Sequence, residues 1–205
     1  ISKYDLKTGA TTNFSLNVPV NGSFNEDYIL SLLETNNGKL LVGTWQGLGC
    51  LDIATATFTI IDTRWKTFDI QADGNNGYWI ATNSGLKHLD QRLNTDAVYD
   101  FGTPAINITA IVKDELNKCL WLGTWDRGLI QFNTTTKAHK AYLHNAKDAS
   151  TISSNNTYKL LLDTKGDLWI GTWGGGLNRF NITTNTFDRF HLNIPGIYTT
   201  DDQII

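Results

Sequence analysis

Charged residues make up only 18% of this chain, methionine is absent, and proline and cysteine occur three and two times. Stretches rich in Ala, Leu, Glu and Lys with one apolar face, the material of helices, are missing. No apolar run approaches the ~18 residues that a membrane-crossing helix requires. The formal net charge of −3 is carried by no basic stripe and no acidic tail. Nucleic acid is therefore not an expected partner, and disorder is not an expected state. Direct membrane contact is not expected of this segment either. Cys50 and Cys119 form neither a zinc pattern nor a disulfide framework, and both read as small apolar strand residues. The chain starts at Ile1 without a signal-peptide pattern, which suggests a processed chain or a fragment.

The chemistry of catalysis is also thin. No nucleophile elbow, P-loop, dinucleotide fingerprint or HExxH occurs. His88, His139, His144 and His191 fall at unlike places, and none pairs at a metal-ligand spacing. Most carboxylates stand in Asp-Gly or Asp-Asn turns, with no pair nominated for attack on a glycosidic bond. No catalytic residue, metal or cofactor is expected.

What the chain has instead is tryptophan, glycine, threonine and asparagine, with seven Trp and eighteen Gly. These suit short strands joined by tight turns. One pattern returns four times: LLVGTWQGLGCLD at 40–52, YWIATNSGLKHLD at 78–90, LWLGTWDRGLIQFN at 120–133 and LWIGTWGGGLNRFN at 168–181. The small residues Gly43, Ala81, Gly123 and Gly171 are spaced by 38, 42 and 48 positions. A period near forty filled by strands and turns is the mark of a four-stranded propeller blade.

Each repeat parses alike. An innermost strand (28–33, 68–70, 108–112, 158–162) leads through an Asn/Asp/Gly turn to the Trp strand. A glycine turn, a third strand and an Asp- or Asn-initiated turn lead to an outer strand (58–61, 97–99, 139–142, 187–190). The fold expected is all-β: four whole blades plus two partial ones, a fragment of a larger propeller. The boundaries expected are a partial blade at 1–20, blades at about 25–62, 66–101, 105–143 and 155–191, and the start of another at 197–205. In the first of these, residues 13–16 read as the outer strand. A closed five-bladed ring is the alternative.

Leu41, Trp79, Trp121 and Trp169 share one strand position and read as wedges between blade faces. Thr44, Thr82, Thr124 and Thr172 follow the small residue, each with a hydroxyl placed for a local backbone group. The next position holds Trp45, Asn83, Trp125 and Trp173, expected to ring one face at the mouths of the turns. Exposed tryptophan on a rim is costly unless covered or in use. Asp126 and Arg127 vary the turn beside Trp125, and His144 and Asn145 open the long connection 144–157. Together with the four rim residues these are the candidate ligand-binding residues. A second long connection runs over 17–27.

The fullest copy of the pattern, Thr164-Lys165-Gly166-Asp167-Leu168-Trp169-Ile170-Gly171-Thr172-Trp173-Gly174-Gly175-Gly176-Leu177-Asn178-Arg179-Phe180-Asn181, resembles the two-component regulator propeller repeat. Four copies in register extend the resemblance over nearly the whole chain. Ala81-Thr82-Asn83 and Leu41 depart from it. The resemblance implies sensor portions of hybrid histidine kinases in glycan-degrading bacteria, with propellers of seven blades, often paired, outside the inner membrane. An immunoglobulin-like domain, a membrane helix and the kinase follow there, and no such segment is present in this sequence. The expectation is a periplasmic, non-enzymatic sensor segment that responds to carbohydrate breakdown products. Its partners would be an oligosaccharide, the remainder of the same receptor chain and a second copy of the chain. The alternatives are a propeller enzyme, a glycan lyase or hydrolase, and a protein-interaction or dimerisation module.

Overall fold

The computed structural model describes residues 1–14, 28–102 and 105–190. Among these residues there are strands and turns and no helix. The chain divides into two compact units, Ile1–Ile70 and Gln71–Ile205. Each is taken by itself below.

The first unit opens with a hairpin of β1 (Ser2–Tyr4) and β2 (Thr11–Asn13). A meander of β3 (Ile29–Glu34), β4 (Lys39–Thr44), β5 (Gly47–Asp52) and β6 (Thr57–Asp62) follows, paired antiparallel in chain order. The next sheet holds β7 (Thr67–Ala72), β8 (Tyr78–Thr82), β9 (Gly85–Leu89) and β10 (Thr95–Tyr99). Two more meanders complete the second unit: β11 (Asn107–Asp114), β12 (Cys119–Trp125), β13 (Leu129–Asn133) and β14 (His139–Tyr142), then β15 (Thr157–Leu162), β16 (Leu168–Thr172), β17 (Gly176–Asn181) and β18 (Thr186–Phe190). Four four-stranded antiparallel sheets stand where the four copies of the repeat place them. The expected strand at 197–205, the connection 17–27 and His191 lie outside the described residues.

One strand differs from the sequence reading. The first outer strand is Thr11–Asn13, where the pattern reads 13–16, of which 15 and 16 lie outside the described residues. The Asp5 carboxylate accepts the backbone N–H of Lys7 and of Thr8, and Asp5 N–H donates to Ala10 O, so pairing resumes at Thr11. The same device starts the other outer strands. Asp52, Asp90, Asn133 and Asn181 each accept backbone N–H groups two to four residues on.

The threonine after the small residue is fully buried in all four sheets. Its hydroxyl donates across the turn to the carbonyl of the glycine that starts the third strand. The distances are 3.2 Å for Thr44 to Gly47, 2.6 Å for Thr82 to Gly85, and 2.7 Å for Thr124 to Gly128 and Thr172 to Gly176. Three of these hydroxyls also accept a turn N–H, from Gln46, Ser84 and Arg127. At Gly128 the outer strand leaves no room for a side chain, since a Cβ there would stand 2.2 Å from Tyr142 O.

Trp79 and Trp121 are wedges, as expected, whereas Trp169 is half-buried and meets Phe190 of its own sheet at 5.6 Å. Trp121 is fully buried and meets Phe180 of the following sheet with ring centroids 5.4 Å apart. Trp79 meets Phe132 in the same way at 6.1 Å. In the second unit β15 packs on β11 and β12, and β11 on β8. Gly123 permits the first of these contacts: a Cβ there would crowd the hydroxyls of Thr109 and Thr157 at 3.1 Å. The core between the last two sheets gathers Cys119, Trp121, Leu129, Ile152, Leu168, Ile170, Phe180 and Phe187. Each large side chain so buried is worth about 1.5–3 kcal/mol in transfer free energy. Both cysteines are buried free thiols, and burial pushes the Cys119 thiol up to about 11.

The indole nitrogens need acceptors once buried. Trp121 Nε1 donates to Asp114 Oδ2 at 3.1 Å and Trp169 Nε1 to Asp163 Oδ2 at 2.9 Å. In the first sheet both partners are replaced. Leu41 has no donor, and the turn position six residues earlier is Thr35, whose hydroxyl serves Lys39 O. The acid and the indole are thus present or absent together in these three sheets.

Trp121→Phe is expected to destabilise the protein by about 1–3 kcal/mol, because the buried Asp114 carboxylate loses a donor, as read by urea denaturation. For Asp163, the Trp169 indole outweighs desolvation and, with the turn's N–H groups, holds the carboxyl below its ordinary range. A lowered folded-state value stabilises above the ordinary carboxylate value of about 3.9, and that contribution disappears as pH falls below it. Asp163→Asn is accordingly expected to flatten the acid limb of unfolding below about pH 4, followed by tryptophan fluorescence.

Candidate functional site

Because the buried threonine fixes each turn, the residue after it is aimed outward from the strand end. Trp125 is exposed and Trp173 half-buried, and their rings meet with centroids 5.8 Å apart at 55°. These two turns are one residue longer than the turns at Trp45 and Asn83. The extra residue takes the left-handed conformation in both: Asp126 with φ 82° and Gly174 with φ 79°. Among the described residues, a Cβ at Gly174 would meet nothing within 4 Å.

Asp126 is not glycine, and its backbone cost is offset locally. Its N–H donates to Asn156 Oδ1 at 3.0 Å. Asn156 O accepts the N–H of Trp173 at 2.8 Å, and Asn155 O accepts that of Gly128 at 2.8 Å. Ser154 Oγ donates to Trp173 O at 3.1 Å. The pair Asn155-Asn156 therefore ties the β12–β13 turn and the β16–β17 turn to one strand of backbone. Both lie at the end of the connection 144–157, outside the candidate residues read from the sequence. Their signal is their place immediately before the inner strand, where a carbonyl and a side-chain oxygen face the preceding sheet.

The connection that carries them is pinned along its length. Ile152 is fully buried in the core. Ser153 N–H donates to Asn178 Oδ1 at 2.9 Å, and Asn178 is itself fully buried. Arg189 reaches from the outer strand and donates to the carbonyls of Asp148, Thr151 and Ile152. His144 closes the loop's ends, with its N–H on Asn155 Oδ1 at 2.7 Å and Nδ1 donating to Ile152 O at 2.8 Å. Asn145 bonds within the loop, to Thr151 Oγ1 and Lys147 N–H, and stays exposed.

The structure thus gathers Trp125, Asp126, Arg127 and Trp173 around the Asn155-Asn156 tie, with His144 behind it. Arg127 and Asp126 form an exposed ion pair at 3.6 Å. Asn83 stands half-buried at its own turn, bridged to Gly85, and offers no ring. Trp45 belongs to the first unit, where it meets Phe68 edge-on at 6.1 Å and carries Lys66 Nζ over its ring at 3.8 Å. A different concavity, of about 340 Å³, opens at the far ends of β11 and β12. Its walls include Asp73, Lys113, Glu115 and Lys118, but no aromatic residue.

Residues 151–174 match the family model described as Two component regulator propeller. The resemblance read from the repeat is borne out over that segment. No curated protein matches the chain. Among solved structures, the chain is similar to an extracellular domain described as that of a one component system, BT4673 of B. thetaiotaomicron. The TM-score is 0.69 at 16% identity, over 98% of this chain and 34% of that one. It is similar also to the extracellular domain described as that of a hybrid two component system, BT3049 of B. thetaiotaomicron. There the TM-score is 0.69 at 19% identity, over 90% and 26% of the two chains. The β-propeller domain of Cps50 (Swd1) from Myceliophteria thermophila matches with a TM-score of 0.60 at 16% identity, over 86% and 56%. At these identities the likeness is one of fold, and the fold is a β-propeller. The chain spans about a third of the first structure's length and about a quarter of the second's.

Removing the anchor tests whether the rim is held by the loop. Ile152→Ala is expected to cost about 2–5 kcal/mol and to speed amide exchange across residues 144–156. Arg189→Ala is expected to speed exchange in the same segment at a smaller cost in global stability.

Proposed function

We propose that this chain is a ligand-sensing propeller segment of a periplasmic sensor in a hybrid two-component system, and that its rim binds an oligosaccharide. The observation that carries the reading is the Trp125–Trp173 pair, one indole exposed and the other half-buried, meeting on a preorganised turn pair. The apolar face of a sugar ring stacks on such a surface, while its hydroxyls need donors and acceptors at the edge. Asp126 and Arg127 supply both. Large open aromatics are costly without an occupant, and a rim held rigid beforehand loses little conformational freedom on binding.

The solved structures lend support, since two of them are extracellular domains of regulatory systems. Binding without catalysis is favoured by the use of the acids. Asp5, Asp52, Asp90 and Asp163 each bond the backbone of their own turns. The remainder of the receptor chain, and a second copy of it, are the partners through which binding would be signalled.

Calorimetry of the chain against a panel of oligosaccharides tests the proposal. Trp125→Ala and Trp173→Ala are each expected to weaken binding at least about tenfold, which is about 1.4 kcal/mol, with the fold unchanged by circular dichroism. Absence of binding by every oligosaccharide, or affinities untouched by both substitutions, overturns the assignment of the rim.

A further inference from the structure

The internal repeat supplies its own control for one cluster in the second sheet. The third-strand residue paired opposite the wedge position is Cys50, His88, Gln131 and Arg179 in the four sheets. In the last sheet, Arg179 donates to Asp188 of the outer strand at 2.6 and 3.1 Å, and stands 3.8 Å from Asp167 of the inner turn. Its guanidinium lies 6.0 Å from the Trp169 ring centroid. A permanent cation there links turn and outer strand across the tryptophan.

His88 occupies the corresponding place. Nδ1 is 2.6 Å from Asp96 Oδ1 on the outer strand, and Nε2 is 3.2 Å from Asp73 Oδ2 in the inner turn. The ring lies 4.5 Å from Trp79. The fold makes room for both bonds. Asp96 sits at the β-bulge between Thr95 and Ala97, the irregularity that re-aims a side chain. A Cβ on Gly77 would stand 2.6 Å from Asp73 Oδ2 and 2.8 Å from His88 Nε2.

We propose that Asp73, His88 and Asp96 form a proton-operated clasp, closed on both sides when the imidazole carries two protons and open on one side when it carries one. A carboxylate can only accept, so both bonds are donated together only by the imidazolium. Arginine in the last sheet never loses its charge, whereas histidine changes charge within the physiological range. Burial works against the Asp73 charge, but the N–H groups of Asn75 and Gly77 and the His88 ring outweigh it, so that acid remains a charged acceptor. The other charged groups nearby are Lys113, whose Nζ donates to Asp73 O at 2.5 Å, and Lys137, 5.8 Å from the Trp79 ring. Asp90 bonds its own turn. With two protons the ring donates to both Asp73 and Asp96, and with one proton it donates to only one of them, so the tie between inner turn and outer strand is complete only in the doubly protonated state.

Two measurements on the full chain decide this. In long-range proton–nitrogen spectra, with His88 assigned by its loss in His88→Gln, both ring nitrogens are expected to be protonated at pH ~5.5 and one at pH ~8.5. Thermal unfolding of the unmodified chain is expected to fall by roughly 2–4 °C over that interval relative to His88→Arg, which imitates Arg179. Asp96→Asn keeps the shape, removes one charged acceptor and is expected to abolish most of the pH dependence, so the test survives a misfolded arginine variant. A ring in the same protonation state at both pH values overturns the clasp, as does a pH dependence that Asp96→Asn leaves intact.

Discussion

Four buried threonine hydroxyls hold this architecture at its most repeated point. Each closes the turn from the second to the third strand by donating to a glycine carbonyl from a fully buried side chain. An unmade bond there would leave a buried hydroxyl at a cost of about 1–3 kcal/mol. The turn geometry is thereby decided inside the sheet, and the following residue is carried to the mouth of its own turn whatever it is. That separation lets tryptophan, asparagine and turns of two lengths follow the threonine without disturbing the strands. The wedge residue three positions before the threonine is then set by packing and, where it is Trp121 or Trp169, by an acceptor for its indole.

The strands were legible because two periodic signals agreed. Alternation marked each strand, and the forty-residue recurrence marked which strand it was. The two-residue error at the first outer strand came where only half of the pattern was present. The roles of the threonine and of Trp79 and Trp121 were also legible, since a small residue beside a large aromatic on a strand face has few uses. Partnerships between distant positions were not. Asp114 and Asp163 read as turn formers, and only the structure shows their second oxygens under the indoles of Trp121 and Trp169. The linkage of Thr35 with Leu41 could have suggested it, because acid and indole vanish together in the first sheet.

The candidate rim was legible in part. Alignment placed Trp45, Asn83, Trp125 and Trp173 at one position but could not distinguish them. Turn length could: the extra left-handed residue at Asp126 and Gly174 separates the two that meet from the two that do not take part. The connection 144–156 looked like a polar loop because its composition is polar. Its order comes from a single buried isoleucine and from hydrogen bonds made by Asn178 and Arg189, residues that lie in a different sheet position and carry no local signal.

Rigidity at this rim is an argument about use. A solvated loop has no reason to be tied to a buried asparagine, an outer-strand arginine and two neighbouring turns at once. Ordering it costs conformational entropy of about 1–2 kcal/mol per residue, and that cost has been met in the folding of the sheet. The aromatic pair gains from this directly. Two rings 5.8 Å apart, set on turns joined through Asn155 and Asn156, present one fixed surface instead of two independent side chains. Blades are well suited to this division, because the invariant part of the repeat supplies stability and the turn beyond the threonine remains free to differ.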